Sequence, residues 1–166
     1  CSYHLDYAEL HRRHTNRLHP PLLASTLHVS DLPDGVMGGG VFGVNTRGLE
    51  HYARFGHHCV LARATPGALD ADWEADDRWV KVEYRPRRAV LFDGSLPHRA
   101  TTTRSLPGGM RRVVVGINIF DVGVGEQVSR APVHSAAYRQ AMAAPWWWSS
   151  ATRRDFGRSS WTMGAD

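Results

Sequence analysis

The sequence predicts one mainly β domain, a loop-rich barrel with a few flanking helices. Its 166 residues are enough for one hydrophobic core but not for two. Apolar residues make up 42% of the chain, and 16 glycines and 9 prolines are typical of short strands joined by many turns. Three consecutive strand patterns between Trp79 and Phe120 give the most direct evidence. Long polar insertions suit a barrel that carries its function on the rim.

The predicted strands follow one another along the chain. Leu22 to Val29 is the first, ahead of a glycine-rich turn. From Val80 to Arg85 apolar and charged residues alternate, so the apolar ones point inward in a half-buried strand that Pro86 ends. Ala89 to Phe92 and Val113 to Phe120 are short β-branched or aromatic runs bounded by turn residues, as buried strands are.

The barrel core is predicted to span residues 1–125, with 126–166 as a C-terminal extension. Ser135 to Ala144 has helix-forming composition and stops before Pro145, which does not continue a helix comfortably. Trp146, Trp147 and Trp148 are consecutive, so at least one of them is exposed, caps the barrel or contacts a partner. Serine, arginine and glycine dominate the rest of the tail.

A possible metal site is formed by His4 and Asp6 at the start of the chain together with His98 far downstream. In a strand, residues two apart project from the same side, about 7 Å apart along it. Two imidazoles and one carboxylate occupy one face of an octahedral ion and leave the opposite positions open, as in oxygen-activating non-haem iron enzymes. The three residues therefore predict an Fe(II) site.

Two longer motifs extend this pattern into a family resemblance. They are the runs Arg-Ala-Val-Leu-Phe-Asp-Gly-Ser-Leu-Pro-His, which ends at His98, and Arg-Arg-Val-Val-Val-Gly-Ile-Asn-Ile-Phe, which ends at Phe120. With the H-x-D pair and the Gly38-Gly39-Gly40 turn, they resemble the 2-oxoglutarate- and Fe(II)-dependent oxygenases, in particular the prolyl-hydroxylase-like branch. The resemblance covers Tyr3 to Phe120 and is most specific from Arg88 to Asn118. It implies a double-stranded β-helix, the jelly-roll barrel shared with cupins.

The chain departs from that family in two places. The family normally has helix and strand before the H-x-D pair, whereas here the pair begins at residue 4, so we expect a fragment or an unusually short version. The insertion from Thr46 to Asp77 has no family counterpart that we can place.

The resemblance also implies that a basic residue opening the last strand grips the far carboxylate of 2-oxoglutarate. Arg111 and Arg112 are both available, but neighbours on a strand face opposite ways, so only one enters the barrel. Arg112 shares its face with Gly116 and Asn118, which leave room for a ligand, and we assign Arg112 and Asn118 to the cosubstrate. Surface positions for both arginines stay open. Weaker candidates are Arg111, Thr26 and His28, and we favour a satisfied core histidine for His28.

The chemistry that the resemblance implies is hydroxylation. Iron on His4, Asp6 and His98 chelates 2-oxoglutarate, O2 converts it to succinate and CO2, and the substrate is hydroxylated. Asp6 argues against halogenation, since related halogenases leave that ligand position vacant for chloride. We favour a small-molecule substrate, such as an amino acid or biosynthetic intermediate. The sequence does not indicate an oligomeric state.

Other functions stay open. A cupin-like metal enzyme without 2-oxoglutarate needs the three metal ligands but not Arg112, and a catalytically silent barrel acts as a binding module. A structural zinc site is disfavoured because only Cys59 adjoins a histidine pair, His57-His58. His11 and His14, three residues apart, fit one helical turn at the surface or the substrate mouth.

Charge and hydropathy limit the partners. The net charge is +4, but its arginines are scattered and form no basic stripe interleaved with aromatic residues, so nucleic acid is disfavoured. No apolar run approaches the roughly 20 residues that span a bilayer. The chain has only two cysteines, Cys1 and Cys59, so we do not expect a disulfide framework. We therefore expect a cytoplasmic location.

Overall fold

The computed structural model describes residues 3–15, 17–33, 36–56 and 67–128. The predicted helix at 135–144, the three consecutive tryptophans and the His57-His58-Cys59 segment lie outside these ranges. The helices are α1 (Glu9–Thr15), α2 (Leu49–Phe55) and α3 (Ala68–Ala75), with a 3-10 helix at Val122–Gln127. The strands are β1 (Leu23–His28), β2 (Gly38–Gly39), β3 (Phe42–Asn45), β4 (Trp79–Val82), β5 (Ala89–Asp93), β6 (His98–Ala100), β7 (Thr103–Ser105) and β8 (Val114–Ile119).

The strands form three antiparallel sheets, with orders β5-β1-β8, β4-β3-β6 and β2-β7. This confirms the prediction of a mainly β fold with a few helices. Within the described ranges the strand pairings stay inside the three sheets, so the closure into a barrel stays a prediction. No helix in these ranges has the length and apolar character needed to cross a bilayer.

The β5-β1-β8 sheet presents two chemically different faces. Thr26 of β1 lies opposite Gly116 of β8, and Ala24 lies opposite both Asn118 and Phe92. Because partners directly opposite share a face, these residues define what we call the inner face. The face consists of Ala24, Thr26, His28, Val90, Phe92, Val114, Gly116 and Asn118. The residues between them along each strand form the outer face.

The hydrophobic core lies against the second sheet. Every residue of β3 is buried, and a cluster of large side chains packs beside it. Two members of the cluster, Tyr52 on α2 and Trp73 on α3, come from the insertion at 46–77. The described parts of the insertion, at 46–56 and 67–77, therefore contribute to the core. The full cluster is Tyr3, Leu5, Tyr52, Trp73 and Trp79.

Two local predictions are wrong. His4 forms an isolated antiparallel bridge with His98, and Asp6 lies outside it, so the H-x-D pair does not sit on a regular strand. The side chains nevertheless alternate in direction: Tyr3 and Leu5 are buried in the core, while His4 and Asp6 point to the other side. In β4 the buried residue is Trp79, while Val80 is 47% exposed, because the pairing of Asn45 with Trp79 puts the tryptophan against the core.

We expect Gly43→Ala to destabilise the fold. A Cβ built on Gly43 would clash with the ring of Trp73, and overfilling a packed core costs about 1 to 3 kcal/mol. Gly108→Ala is the matched control, since a Cβ there meets nothing within 4 Å. Thermal unfolding followed by circular dichroism measures both variants. Equal melting temperatures would show that Trp73 does not pack on β3 as described.

Candidate functional site

A reciprocal pair of backbone hydrogen bonds brings the two predicted histidine ligands together. The His4 amide donates to the His98 carbonyl at 3.0 Å, and the His98 amide donates to the His4 carbonyl at 2.9 Å. The two imidazole rings are 4.4 Å apart between centroids. Asp6 completes the group, with Oδ1 at 3.5 Å from Nε2 of His4 and Oδ2 at 3.7 Å from Nε2 of His98. The structure thus places all three predicted metal ligands within 4.8 Å of one another.

His98 is held in the form that binds a metal. Its Nδ1 donates to the carbonyl of Leu96 at 3.2 Å, which leaves the lone pair of Nε2 facing Asp6. Burial lowers the pKa of His98 and the neighbouring His4 lowers it further, while Asp6 and the Leu96 hydrogen bond oppose the shift. Phe42 and Phe92 pack on the ring, at 5.6 and 5.0 Å between centroids. The imidazole is therefore neutral, fixed in orientation and shielded from water on its aromatic side.

Asn118 orients the carboxylate of the group. Its Nδ2 donates to Oδ2 of Asp6 at 3.0 Å, so the final strand of the sheet is tied directly to the metal-ligand segment. We predicted from the sequence that Asn118 contacts the cosubstrate, whereas in the structure its side-chain amide bonds to Asp6, a predicted metal ligand. Such outer partners set the direction of a carboxylate's lone pairs and tune its affinity for an ion.

The geometry of the three side chains suits a small divalent ion. Ligand atoms about 2.0 to 2.2 Å from an ion and at right angles are about 3 Å apart. The observed separations of 3.5 and 3.7 Å exceed this by less than an ångström. All three side chains have a ligand atom within 4.8 Å of the others, and two imidazole nitrogens with one carboxylate are a donor set that first-row divalent ions accept.

A second set of polar atoms lies at the other end of the inner face. Thr26 and His28 belong to that face, and Arg112 lies two residues before β8. Among the described residues, Oγ1 of Thr26, Nε2 of His28 and Nε of Arg112 are buried without a hydrogen-bond partner. Tyr84 joins two of them: its ring stacks on His28 at 4.4 Å with a 9° interplanar angle, and the Arg112 guanidinium lies 5.6 Å from its centroid. Buried polar atoms are normally paired; atoms of Asn45, Asp76 and Arg99 are unpartnered as well, and the three at this end differ from them in lying together.

Arg112 and its neighbour Arg111 are separated as alternation requires. Arg112 is half-buried, and burial lowers its pKa while Tyr84 opposes the shift. The Arg111 side chain is exposed, and its carbonyl accepts a hydrogen bond from Ser30 at 2.6 Å. Of the two arginines, Arg112 lies toward the polar atoms of the inner face.

His28 was predicted either as a satisfied core histidine or as a weaker candidate for the cosubstrate site, and the two edges of its ring differ. Its Nδ1 is 3.2 Å from both the amide and the carbonyl of Arg85, so one edge of the ring is satisfied by backbone. The other edge, at Nε2, is buried without a partner. Burial lowers the pKa of His28; the Arg85 hydrogen bond opposes this, and the charges of Arg112 and Arg88 add to it. A neutral ring next to two arginines can donate or accept at Nε2 without adding charge.

A second His and Asp group, which no sequence pattern predicts, has a different chemistry. His51 donates from Nε2 to Oδ2 of Asp72 at 2.7 Å, and the Tyr3 hydroxyl donates to Nδ1 of His51 at 2.7 Å. Trp79 donates to the same Asp72 oxygen at 2.9 Å. Burial raises the pKa of the Tyr3 hydroxyl, as do the charges of Tyr52 and Asp72, so Tyr3 keeps its proton. Both ring nitrogens of His51 are therefore used by protein partners.

Asp76 is the second acid of this group. Its Oδ1 accepts the amide of Arg78 at 2.9 Å, and Oδ2, which makes no hydrogen bond, lies 3.5 Å from Nε of Arg47 in an ion pair. The Arg78 hydrogen bond is the main cause that lowers the pKa of Asp76, with burial opposing it and Arg47 adding to it. His51, Asp72 and Asp76 are close enough to hold a metal, but hydrogen bonds to Tyr3, Trp79 and Arg78 tie the group into the protein as a structural network.

Three other histidines lie outside the metal group: His11 and His14 on α1, and His19 beyond its end. Nδ1 of His11 donates to Oε1 of Gln127 at 2.9 Å, and Nε2 of His19 donates to Asp121 at 3.0 Å. His14 is exposed on α1. The His11 contact docks the 3-10 helix onto α1, and the His19 contact holds Asp121, the residue before that helix.

No protein-family model matches the chain, and comparisons with curated proteins and with solved structures give no match either.

Several residues that shape the site were not predicted from the sequence. Phe42, Phe92 and Tyr84 pack on the imidazoles of the two polar sets, and the backbone carbonyl of Leu96 fixes the tautomer of His98. Phe92 lies on β5 and His98 on β6, with a turn between them, so the spacing of the two residues gave no signal either. The contact of Tyr84 with His28 joins residues 56 apart in sequence and leaves no local pattern.

We expect the buried His28 to make stability depend on pH. Its pKa is lowered from 6.5 in the folded state, so the unfolded chain binds more protons below that pH, and stability falls as the pH drops through 6.5. Each unit of lowering corresponds to about 1.4 kcal/mol. Urea unfolding between about pH 7.5 and 5.5 should therefore show a smaller loss of stability for His28→Gln than for the wild type.

The exposed His14 provides the control for this measurement. His14→Gln should keep the wild-type pH dependence, and His98 should contribute to the remaining slope in both variants because its pKa is lowered too. An unchanged slope in His28→Gln would show that His28 is not buried in the folded state.

Proposed function

We propose that this protein is an Fe(II)- and 2-oxoglutarate-dependent oxygenase that hydroxylates a small molecule. The observation that carries the proposal is one sheet face with two polar sets, namely the His4, Asp6 and His98 group tied to Asn118, and the unpartnered atoms of Thr26, His28 and Arg112. A metal group alone fits many enzymes. A metal group at one end of a sheet face and a half-buried arginine at the other end fit a ligand with a carboxylate at each end.

His4, Asp6 and His98 would hold the iron. Two imidazoles and one carboxylate leave open positions on an octahedral ion, and the Asp6 charge offsets part of that of the metal. When bound, Fe(II) with 2-oxoglutarate supplies the oxidation of the cosubstrate to succinate and CO2 and the hydroxylation of the substrate by O2. Asn118 keeps Asp6 aligned, and Phe42 and Phe92 exclude water from one side of His98.

The inner face would hold the cosubstrate along its length. Thr26 is two residues from Ala24, the partner of Asn118, and His28 is two residues further, so successive positions are about 7 Å apart. Gly116, opposite Thr26, contributes no side chain, and a Cβ there would meet only the Ser25 carbonyl at 3.9 Å. The face is therefore open between the metal end and the Arg112 end. Thr26 and His28 would donate to the far carboxylate, and Arg112 would neutralise it.

The same geometry supports the closed barrel and the reaction outcome that we propose. Two facing sheets with the site between them are what a double-stranded β-helix provides. Asp6 occupies the position that a halide would need, which favours hydroxylation over halogenation. The three unpartnered atoms favour 2-oxoglutarate use over a cupin-like enzyme that needs the metal alone.

Succinate formation tests the proposal as a whole. The full chain is incubated with Fe(II), 2-oxoglutarate and O2 in chloride-containing buffer, and succinate and product masses are measured. We expect slow succinate release without added substrate and faster release with a small molecule that the protein hydroxylates. We expect no chlorinated product. Metal binding without any succinate would favour the cupin-like enzyme, and the absence of both would favour a binding module.

Metal binding should depend on Asp6 and, more weakly, on Asn118. We expect one Co(II) or Fe(II) per chain, no measurable binding in Asp6→Ala, and about 10- to 100-fold weaker binding in Asn118→Ala, as for other residues that orient a ligand. Calorimetric titration with Co(II) measures all three proteins. Asp76→Asn is the control from the second acidic group and should bind like the wild type. Loss of metal binding in Asp76→Asn but not in Asp6→Ala would contradict the proposal and place the metal at the second group, which contains Asp76.

The two neighbouring arginines give a matched test of the cosubstrate site. Removing one partner of a buried charge pair costs about 3 to 5 kcal/mol, so Arg112→Ala should weaken 2-oxoglutarate binding by more than about a hundredfold. Arg111→Ala should change it little, because the Arg111 side chain is exposed. Titration of the Mn(II)-loaded proteins measures binding without turnover. A large effect of Arg111→Ala alone would mean that the strand register is shifted by one residue.

A further inference from the structure

The hydroxyl of Tyr3 is bonded to a base inside the hydrophobic core. It donates to Nδ1 of His51 at 2.7 Å, and the opposite ring nitrogen of His51 donates to Oδ2 of Asp72 at 2.7 Å. Tyr3 and His51 are both buried. The phenol proton therefore points at an imidazole lone pair, and a carboxylate stands behind that imidazole.

This arrangement suits the removal of one electron from the phenol. An oxidised phenol that keeps its proton is a cation and a very strong acid, so its formation in a core is costly. When a base takes the proton in the same step, the product is a neutral phenoxyl radical, and a weaker oxidant is sufficient. His51 would then be an imidazolium beside the Asp72 carboxylate, and opposite charges attract strongly in buried surroundings.

Trp79 adds a second ring that can lose an electron. Its ring is 5.4 Å from that of Tyr3 between centroids, and its indole N–H donates to the same Asp72 oxygen at 2.9 Å. A carboxylate next to the indole stabilises positive charge on it. Because rings this close exchange electrons readily, an oxidised Trp79 would take its missing electron from Tyr3.

The next ring, that of Trp73, is electrostatically different. It lies 4.9 Å from Trp79 between centroids. The ammonium of Lys81 is 5.1 Å from the centre of the Trp73 ring, and the guanidinium of Arg99 is 5.5 Å from it. Two cations against a ring disfavour the loss of an electron from it. A missing electron would therefore stay on Tyr3 and Trp79 rather than move to Trp73.

Tyr3 also lies beside the metal group, as the residue before His4. The aromatic side chains that pack on His98, the other histidine of that group, are Phe42 and Phe92. A benzene ring holds its electrons much more tightly than a phenol does. An oxidant at the metal group would therefore take an electron from Tyr3 in preference to either phenylalanine.

We propose that Tyr3 is a redox-active residue. A one-electron oxidant takes an electron from its phenol, directly or through Trp79, while the O–H bond breaks and the proton bonds to Nδ1 of His51. The products are a neutral phenoxyl radical, an imidazolium paired with Asp72, and the oxidant reduced by one electron. Return of one electron and of the proton restores the phenol. The natural source of the oxidant rests on the proposed function, because O2 chemistry at His4 takes place one residue from Tyr3.

Photo-oxidation of the metal-free full chain tests the proposal. A photogenerated Ru(III) tris(bipyridine) complex, with persulfate as the final electron acceptor, oxidises the protein, and frozen samples are measured by electron paramagnetic resonance. We expect a tyrosyl radical spectrum that Tyr3→Phe abolishes. Tyr84→Phe is the matched control and should keep the spectrum, because the Tyr84 hydroxyl donates to the Ser30 carbonyl at 2.9 Å and not to a base. A spectrum that survives in Tyr3→Phe or disappears in Tyr84→Phe would overturn the proposal.

The proton acceptor is tested separately. His51→Gln keeps a polar side chain but offers no comparable base, so the radical yield should fall several-fold, and an unchanged yield would contradict the proposed proton transfer. Circular dichroism checks that each variant is folded.

The wild type provides a measurement that needs no variant. After exchange into D2O, electron–nuclear double resonance should detect a deuteron hydrogen-bonded to the radical oxygen, and its absence would count against His51 as the acceptor. All these measurements use metal-free protein. Their failure would leave the proposed oxygenase activity standing, and a lack of succinate formation would bear on that activity alone.

Discussion

The reciprocal hydrogen bonds between the backbones of His4 and His98 are the contact on which the site depends. They join two parts of the chain that are 94 residues apart in sequence and place the two imidazoles side by side. The two histidines come from separate parts of the fold: His98 belongs to the β4-β3-β6 sheet, and His4 precedes the first helix. Asp6 then follows two residues after His4 and reaches both rings. A single bridged pair thus converts two distant motifs into one set of ligand atoms.

The site and the core share the short segment that carries this bridge. Tyr3 and Leu5 point into the hydrophobic cluster, while His4 and Asp6 point to the metal group. Tyr3 is further held by the network of His51, Asp72 and Trp79, in which every hydrogen bond is between 2.7 and 2.9 Å. A buried chain of satisfied hydrogen bonds resists displacement, because breaking one link leaves its partner buried without water. The geometry of the ligands is therefore set by groups that never approach an ion.

The sequence allowed the local features to be predicted, and the reasons are physical. Short apolar runs bounded by turn residues located β5 and β8, since strands and their alternation depend on neighbouring residues. The same alternation separated Arg112 from Arg111, and two-residue spacing put His4 and Asp6 on one side. In contrast, the packing of Tyr52 and Trp73 from the insertion and the bond from Asn118 to Asp6 join distant parts of the chain. Such contacts are decided by tertiary packing, which no local spacing encodes.

The interleaving of core and ligand residues at the start of the chain has a consequence for metal loading. Local opening of the first residues would withdraw Tyr3 and Leu5 from the core at the same moment as it withdrew His4 and Asp6 from His98. An ion that binds only the closed form would then lower the population of that opening in proportion to its affinity. Amide hydrogen exchange at His4 and His98 would slow with metal concentration, while exchange in distant elements such as β7 would not. Tyr3 to Asp6 would open and close as one unit, and the metal would stabilise its closed form.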